Sequence, residues 1–471
     1  TSLSFMPLMT DLREQFPSQD LSLVRDIAED VAQSGGRVLC VGGCVRDALL
    51  QIAPEEFDLE VSGIKPEDLR ALLARKHSVD EYGKSFGVLK LKGHSIEVAV
   101  PRSETKNATG HRGFSVDVDP HLPFSKAAAR RDFTINAIGL DPLTGEVLDP
   151  HGGMKDLDAR ILRHVGPAFV EDPLRVLRGM QFAARFDLTP AQETIELCRT
   201  IDLEGLAPER IFEEWKKLLL QGKTISRGLN FLRETTWLRF FPELEVLVDC
   251  PQDPEWHPEG DVWVHTLHCM DAFAEKRIDD EWEDLVVGFG VLCHDLGKPL
   301  TTVTDENSRI RSPKHESKGE APTRSFLERM TQQKDLPEEV VPLVRRHLAP
   351  RTFHKDNASD TAIRRLARQV VRIDRLVRVA EADMAGRPPK SADFPEGKWL
   401  LDRAEDLRVK DAAPQAVVLG RHLIERGMHP GAGFSPILEE CFEAQLDGAF
   451  TDLDDGLAHL DLILKRVSGD V

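Results

Sequence analysis

Val38-Leu39-Cys40-Val41-Gly42-Gly43-Cys44-Val45-Arg46-Asp47, followed by Phe57-Asp58-Leu59-Glu60-Val61, is the stretch from which the fold can be read. An apolar run that ends in two glycines and continues as Val45-Arg46-Asp47-Ala48-Leu49-Leu50 predicts a strand, a tight turn and a helix. Backbone amides at such a turn suit a triphosphate. In the second segment Phe57, Leu59 and Val61 alternate with Asp58 and Glu60, so a strand buries the apolar set and sets both carboxylates on one face. That is the outline of a two-metal clamp. Taken separately, a Gly-Gly after a strand is also an ordinary turn, and an Asp-x-Glu is also a solvated strand face. Their order and closeness favour the chemical reading.

At 471 residues the chain exceeds one ordinary core, and at roughly 150 residues per domain it predicts about three. The sequence has 41% hydrophobic residues and no apolar run near the ~20 residues that span a bilayer. The expectation is a cytoplasmic protein with no membrane partner and no signal peptide. The seven cysteines are scattered without a C-x-x-C pair, as expected of reduced thiols. A balance of 61 basic to 80 acidic residues gives a net charge of −19 and argues against a nucleic-acid partner in bulk. Arg364, Arg365, Arg368, Arg372, Arg375 and Arg378 nevertheless form a basic stretch, either a nucleic-acid contact or an ion-paired helix face.

Outward from the opening stretch, Leu21 to Gln33 has helical spacing and stops at Gly35-Gly36, and Lys65 to Leu73 predicts another helix. Phe86 to Leu91 and Ser95 to Val100 predict strands, the second carrying Glu97 on the face opposite Ile96, Val98 and Val100. Glu97 is either a third carboxylate or an exposed strand residue. The fold class of this region is therefore a small α/β sheet. Arg102 to Lys126 is polar, includes Thr109-Gly110-His111-Arg112-Gly113, and predicts a long functional loop.

Ala129-Arg130-Arg131-Asp132-Phe133-Thr134-Ile135-Asn136 puts two guanidiniums, an acid and an amide on one helical turn, suited to triphosphate and ribose or to a structural ion-pair cluster. Beyond Asp149-Pro150-His151-Gly152-Gly153 the pattern is almost wholly helical. Asp172, Arg175 and Arg178 are spaced by three, predicting one helix face on which acceptor and donors can read a base edge.

In this order, Gly42-Gly43-x-Val45-Arg46-Asp47, Asp58-x-Glu60, Arg130-Arg131-Asp132-x-x-x-Asn136 and Glu171-Asp172-x-x-Arg175 resemble the motifs of bacterial class II tRNA nucleotidyltransferases, the CCA-adding enzymes. Ala207-Pro208-Glu209-Arg210-Ile211-Phe212-Glu213-Glu214 is similar to a fifth motif. Trp256-His257-Pro258-Glu259-Gly260, Val264-His265-Thr266-Leu267, Leu292-Cys293-His294-Asp295-Leu296-Gly297-Lys298 and Ala382-Asp383-Met384-Ala385-Gly386-Arg387 resemble the HD domain of the long subtype.

The resemblance implies a nucleotidyltransferase head like that of DNA polymerase β over 21–163, a helical neck and body over 164–250, an HD phosphohydrolase domain over 251–400 and a helical tail over 401–471. It implies addition of C, C and A to the acceptor end of tRNA from CTP and ATP. Asp58 and Glu60 would be catalytic and would hold Mg²⁺, with Glu60 a departure from the family's usual Asp. Gly42, Gly43, Arg46, Arg130, Arg131, Asp132 and Asn136 would bind nucleotide. Asp172 and Arg175, with Arg178, would select the base.

By the same resemblance His265, His294, Asp295 and Asp383 would hold a divalent metal (Mg²⁺, Ni²⁺ or Mn²⁺), with His315 and His347 as further candidates. The 102–126 loop resembles the element used in switching to ATP. Three rivals share some of these features: an enzyme that adds only A, a poly(A) polymerase, and an HD hydrolase with a decayed head. Gly83-Lys84-Ser85-Phe86-Gly87 lacks the basic Arg-Arg-Phe element of the second, and the intact carboxylates and Arg175 oppose the third.

Overall fold

The computed structural model describes residues 11–82, 88–106, 114–389, 391 and 393–468. They form two compact units, divided between Phe240 and Phe241. In the first, helix α1 (Ser18–Gln33) leads into strand β1 (Arg37–Val41), helix α2 (Gly43–Leu49), strand β2 (Phe57–Ser62) and helix α3 (Pro66–Leu73). Strands β3 (Val79–Tyr82), β4 (Val88–Leu91) and β5 (Ile96–Ala99) follow. A hairpin of β6 (Arg102–Lys106) and β7 (Phe114–Val118), helix α4 (Phe124–Ala128), and β8 (Gly139–Leu140) with β9 (Val147–Leu148) complete the α/β region.

The main sheet has strand order β3-β4-β5-β2-β1-β8-β9. Strand β1 is central and almost wholly buried from Val38 to Val41, which is why its sequence is apolar at every position rather than alternating. Phe57, Leu59 and Val61 point into a core that also holds Val24, Ile27 and Val31 of α1 and Ile96 and Val98 of β5. The period of two therefore turns Asp58 and Glu60 to the other face.

Two expectations change here. The polar stretch 102–126 is not one long loop: Arg102 pairs with Val118 and Lys106 with Phe114 in an antiparallel ladder, and Phe124–Ala128 is helical. Backbone pairing between the two segments satisfies main-chain groups that polar composition alone leaves open. Residues 107–113, a part of the expected ATP-switching element, lie outside the described residues, as do residues 83–87. The strand expected to start at Phe86 is described from Val88.

Helices α5 (Gly153–Asp158), α6 (Leu174–Phe186), α7 (Gln192–Arg199), α8 (Pro208–Gln221) and α9 (Ile225–Glu234) end the unit. Helices α6 and α9 approach closely because Gly179 faces the Phe231 ring, and an added Cβ would stand 2.7 Å from it. Asp172 is not on α6, as its spacing suggested. It is extended (φ −125°, ψ 103°) just before Pro173, because a residue preceding proline is driven out of the α region.

The second unit is helical apart from one short hairpin, Val303–Thr304 with Ile310–Arg311. Its helices are α10 (Pro242–Glu245), α11 (Val262–Glu275), α12 (Glu281–Cys293), α13 (Lys298–Thr301), α14 (His315–Lys318), α15 (Glu320–Met330), α16 (Asp335–Arg346), α17 (Ala349–Lys355), α18 (Asp360–Val370), α19 (Ile373–Ala385) and α20 (Pro395–Asp406). Helix α12 is buried along most of its length against α11, α16 and α19. Helices α21 (Gly420–Ile424), α22 (Phe434–Leu446) and α23 (Leu453–Ser468) share a separate small core around Leu423, Cys441 and Leu460. The arginine series on α18 and α19 is ion-paired within the unit: Arg365 and Arg368 with Glu443 and Glu439, Arg375 with Glu283 and Glu339, Arg378 with Asp284.

Candidate active site

In the first unit the turn between β1 and α2 sits directly beside the paired carboxylates, because Val41 is the ladder partner of Asp58. Gly42 has φ +78°, and a Cβ on it would lie 2.8 Å from Arg131 Nη1 and 3.4 Å from Asp58 Oδ2. Glycine is needed there for both the backbone and the close approach. The parallel pairing of β2 with β5 sets Glu97 next to Asp58 on the same face.

Asp58 is open to solvent on a concave floor. Protein packed around it still raises its pKa, against the pull of Arg131 and with the help of Glu97 and Glu56. Burial likewise raises Glu60. Carboxylates at this spacing with raised pKa values are under-neutralised, and hard oxygen donors of this kind fit a divalent cation such as Mg²⁺.

The remaining expected nucleotide residues line one cleft of about 890 Å³ with Asp58; Glu60 is not among its lining residues. Arg46 is buried, donates to Asp47 Oδ1 at 2.9 and 2.7 Å and to Asn136 Oδ1 at 2.7 Å. Its guanidinium lies 4.3 Å from the Phe186 ring centroid. Asn136 in turn donates to Asp132 (2.9 Å), and Arg178 Nε donates to the other oxygen of Asp132 (2.6 Å). Burial works against the Asp132 carboxylate, but the Arg178 charge and these hydrogen bonds hold its pKa down at about 2.

Arg175 donates to the carbonyls of Ala168 and Arg130, and Asp172 caps Leu174 (3.0 Å) while its second oxygen accepts from Arg210 (3.1 Å). Arg130 stands 3.4 Å from Glu171. The cleft wall carries nine arginines and lysines against six carboxylates, the reverse of the chain's net sign. A charged polyanion is attracted to it.

The second unit collects its own constellation. His265 comes from α11, His294 and Asp295 from the end of α12, His315 from α14, His347 from the end of α16 and Asp383 from α19, all buried. Ligand atoms of His265, Cys269, His294 and Asp383 lie within 4.8 Å of one another, as do those of Asp295, His315 and His347. Three histidines spend Nδ1 on a carbonyl, His294 on Val291 (2.7 Å), His347 on Val344 (2.7 Å) and His315 on Ser312 (2.8 Å), while His265 Nδ1 faces both the Glu259 carboxylate (2.8 Å) and the Gly386 carbonyl (3.1 Å). That fixes the tautomer and turns the Nε2 lone pairs inward.

His265 and His294 then face each other at 3.4 Å, His315 and His347 at 3.3 Å. Neither oxygen of buried Asp295 accepts a hydrogen bond, although Lys298 Nζ stands 2.7 Å from one of them. Converging imidazole nitrogens and a buried carboxylate fit one or two divalent cations, with Asp295 between the two groups.

Residues 38–163 match the family model of the poly A polymerase head domain, and 189–247 that described as a probable RNA and SrmB-binding site of polymerase A. The multifunctional CCA protein of Stenotrophomonas maltophilia strain K279a is 37% identical over 380 residues, 77% of this chain and 90% of that protein. The chain belongs to the multifunctional CCA protein family. The family member from Laribacter hongkongensis is 37% identical over 397 residues, 80% of this chain and 92% of that protein.

Among solved structures, the Bacillus stearothermophilus CCA-adding enzyme in complex with CTP aligns with TM-score 0.64 at 22% identity, over 98% of this chain and 100% of that one. The Thermotoga maritima CCA-adding enzyme complexed with tRNA aligns with TM-score 0.57 at 19% identity, over 96% and 98%. These establish a shared fold.

Within this CCA-family frame several residues around the two sites had no role assigned from the sequence, although Arg210, Lys298 and Arg387 stand inside its motifs. Arg185, Arg210, Lys217 and Lys223 line the cleft, and Cys269, Lys298 and Arg387 ring the second cluster. Helical spacing was the available signal for the last three. Cys269 follows His265 by four, Lys298 follows Asp295 by three, and Arg387 follows Asp383 by four.

Proposed function

We propose that this chain adds C, C and A from CTP and ATP to the 3′ end of tRNA without a nucleic-acid template, and that its second unit is a metal-dependent phosphohydrolase. The observation that carries the first part is the cleft itself. Asp58, the Gly42 turn, Arg130, Arg131, Asp172 and Arg175 line one cavity, with Glu60 two residues from Asp58 on the same strand, in a member of the multifunctional CCA protein family.

Asp58 and Glu60 would hold Mg²⁺, with Glu97 beside them as a third carboxylate. When bound, such ions lower the pKa of the attacking 3′-hydroxyl and neutralise the leaving pyrophosphate. Arg131 and the amides after Gly42 bind the triphosphate, while Arg46, Asp132, Asn136 and Arg178 form the buried frame that fixes α6 against it. Positioning and charge then do most of the catalytic labour. Asp172 and Arg175 read the base. Arg175 exchanges its bonds to the Ala168 and Arg130 carbonyls for the base edge, and Arg210 orients Asp172.

The partition into a head at 21–163, a neck and body at 164–250, an HD domain at 251–400 and a tail at 401–471 is part of this reading. So is a cytoplasmic location, supported by seven free, buried cysteines and by the absence, among the described residues, of a helix long and apolar enough to cross a membrane.

The second activity rests on the converging histidines. His265, His294, Asp295 and Asp383 would hold a divalent cation (Mg²⁺, Ni²⁺ or Mn²⁺), and Asp295, His315 and His347 offer a second seat. Lys298 and Arg387 are placed to bind the phosphate ester. Incubation of a tRNA transcript lacking its terminal CCA with labelled CTP and ATP tests the main reading. Incorporation of both labels is the expected result, and none by folded protein with Mg²⁺ present would refute it.

A further inference from the structure

Of the seven buried cysteines, Cys269 alone among the described residues joins a group of metal-type donors. It follows His265 by one helical turn on α11, which sets both side chains on the same face. Its Sγ lies 3.3 Å from His265 Nε2, the nitrogen that also faces His294 Nε2 at 3.4 Å and Asp383 Oδ1 at 3.1 Å. All four donor atoms fall within 4.8 Å of one another. Donors held at roughly 2.0 to 2.3 Å from one ion stand about 3 to 3.5 Å apart along the edges of its coordination shell. The sulfur thus stands where a ligand stands.

Space for it is kept by Gly386, where an added Cβ would lie 2.2 Å from Cys269 Sγ and 3.2 Å from His265 Cε1. Charge points the same way. Lys298 pairs with Asp295 and Arg387 with Asp383, so both carboxylates are answered before any cation arrives. Metal-bound imidazoles bring no charge, and a dication added to that set leaves a double positive charge among buried residues. A thiolate halves the excess.

The geometry points to Cys269 as a sulfur ligand of the second unit's metal centre, beside His265, His294 and Asp383, which makes that centre prefer thiophilic ions such as Zn²⁺ and Co²⁺ over Mg²⁺ and Mn²⁺. The inference rests on the reading of those residues as a metal centre. On coordination the thiol S–H bond breaks, its proton passes to solvent and the sulfur donates an electron pair to the cation; nothing is oxidised or reduced. Thiolate donors select zinc-type ions, whereas Asp58 and Glu60 offer carboxylate oxygens, which suit Mg²⁺. The two units thus draw different ions from one mixture.

The test uses the full chain, stripped of metal with a chelator and loaded with one equivalent of Co²⁺. A sulfur-to-cobalt charge-transfer band in the near ultraviolet is expected, and Cys269→Ser should abolish it while the Co²⁺ stays bound. The same substitution should weaken Zn²⁺ binding at least about 10-fold and leave Mn²⁺ binding nearly unchanged, measured by competition with a chelating indicator. Cobalt bound without the band in the unaltered protein, or a band that survives in Cys269→Ser, overturns the sulfur ligand and leaves the metal centre standing. Failure to bind any of the three ions overturns both. Should Cys269→Ser not fold, zinc X-ray absorption on the unaltered chain decides. A sulfur neighbour at about 2.3 Å upholds the ligand, and a shell of nitrogen and oxygen alone overturns it.

Discussion

Asp58 and Glu60 carry a conflict that a bound cation would resolve. The protein around them raises both pKa values, Asp58 in spite of Arg131, so both bind protons at a higher pH than free carboxylates do. A carboxylate whose folded pKa is raised lowers stability above that pKa, and the loss is relieved as pH falls through it. Asp58→Asn should therefore raise the melting temperature of the metal-free protein by about 2 °C while cutting nucleotide addition by about three orders of magnitude. Calorimetry and primer extension measure the two effects. In the unaltered enzyme the rate should fall on the acid side at a pH above the ordinary carboxylate range, and more Mg²⁺ should move that limb to lower pH.

These residues were legible because a strand's period of two is strict and Phe57, Leu59 and Val61 declared which face was buried. Arg210 was less so. Its meaning depends on meeting Asp172 across 38 positions of sequence.

Helix α6 is tied to helix α2 by the chain Arg178, Asp132, Asn136, Arg46. Asp132 is held near pKa 2, below its unfolded value, so its contribution is present above about pH 4 and is lost as pH falls toward 2. Arg178→Met should cost about 3 kcal/mol, because it leaves a buried carboxylate unpaired. Acid unfolding of the variant should begin at a higher pH, as circular dichroism would show.

The 3.6-residue period revealed α6 itself but also drew Asp172 onto it, when Pro173 was the sign that the helix begins later. Helices α18 and α19 teach a similar point. Their arginines read as a basic stretch because the glutamates that neutralise them come from distant helices. Arg365→Ala with Arg368→Ala should change the KM for tRNA less than twofold and leave its salt dependence unaltered, measurable by binding at several ionic strengths.

At the scale of the molecule, two compact units carry two unrelated donor sets, carboxylates on a sheet and histidines at helix ends. Asp58→Ala should abolish nucleotide addition and spare phosphate-ester hydrolysis. Asp295→Asn should do the reverse, with loss of bound divalent metal measurable by elemental analysis. The sheet, the helices that follow it in the first unit and most metal-type ligands could be read because each rests on local periodicity or adjacency. His315 and His347 could be named as further candidates, but that they face each other depends on helices α14 and α16 meeting in space, and the neutralisation of the arginine series depends likewise on contacts between helices distant in sequence.

Which nucleotides are added separates the account from its nearest rival, an enzyme that adds only A. The direct measurement offers the protein two tRNA transcripts, one ending at the discriminator base and one ending in CC, with CTP, ATP or both. The account expects the first to gain two C residues with CTP alone and a terminal A when ATP is added, and the second to gain A alone. Extension of only the CC-ending transcript, with the other untouched, would contradict it.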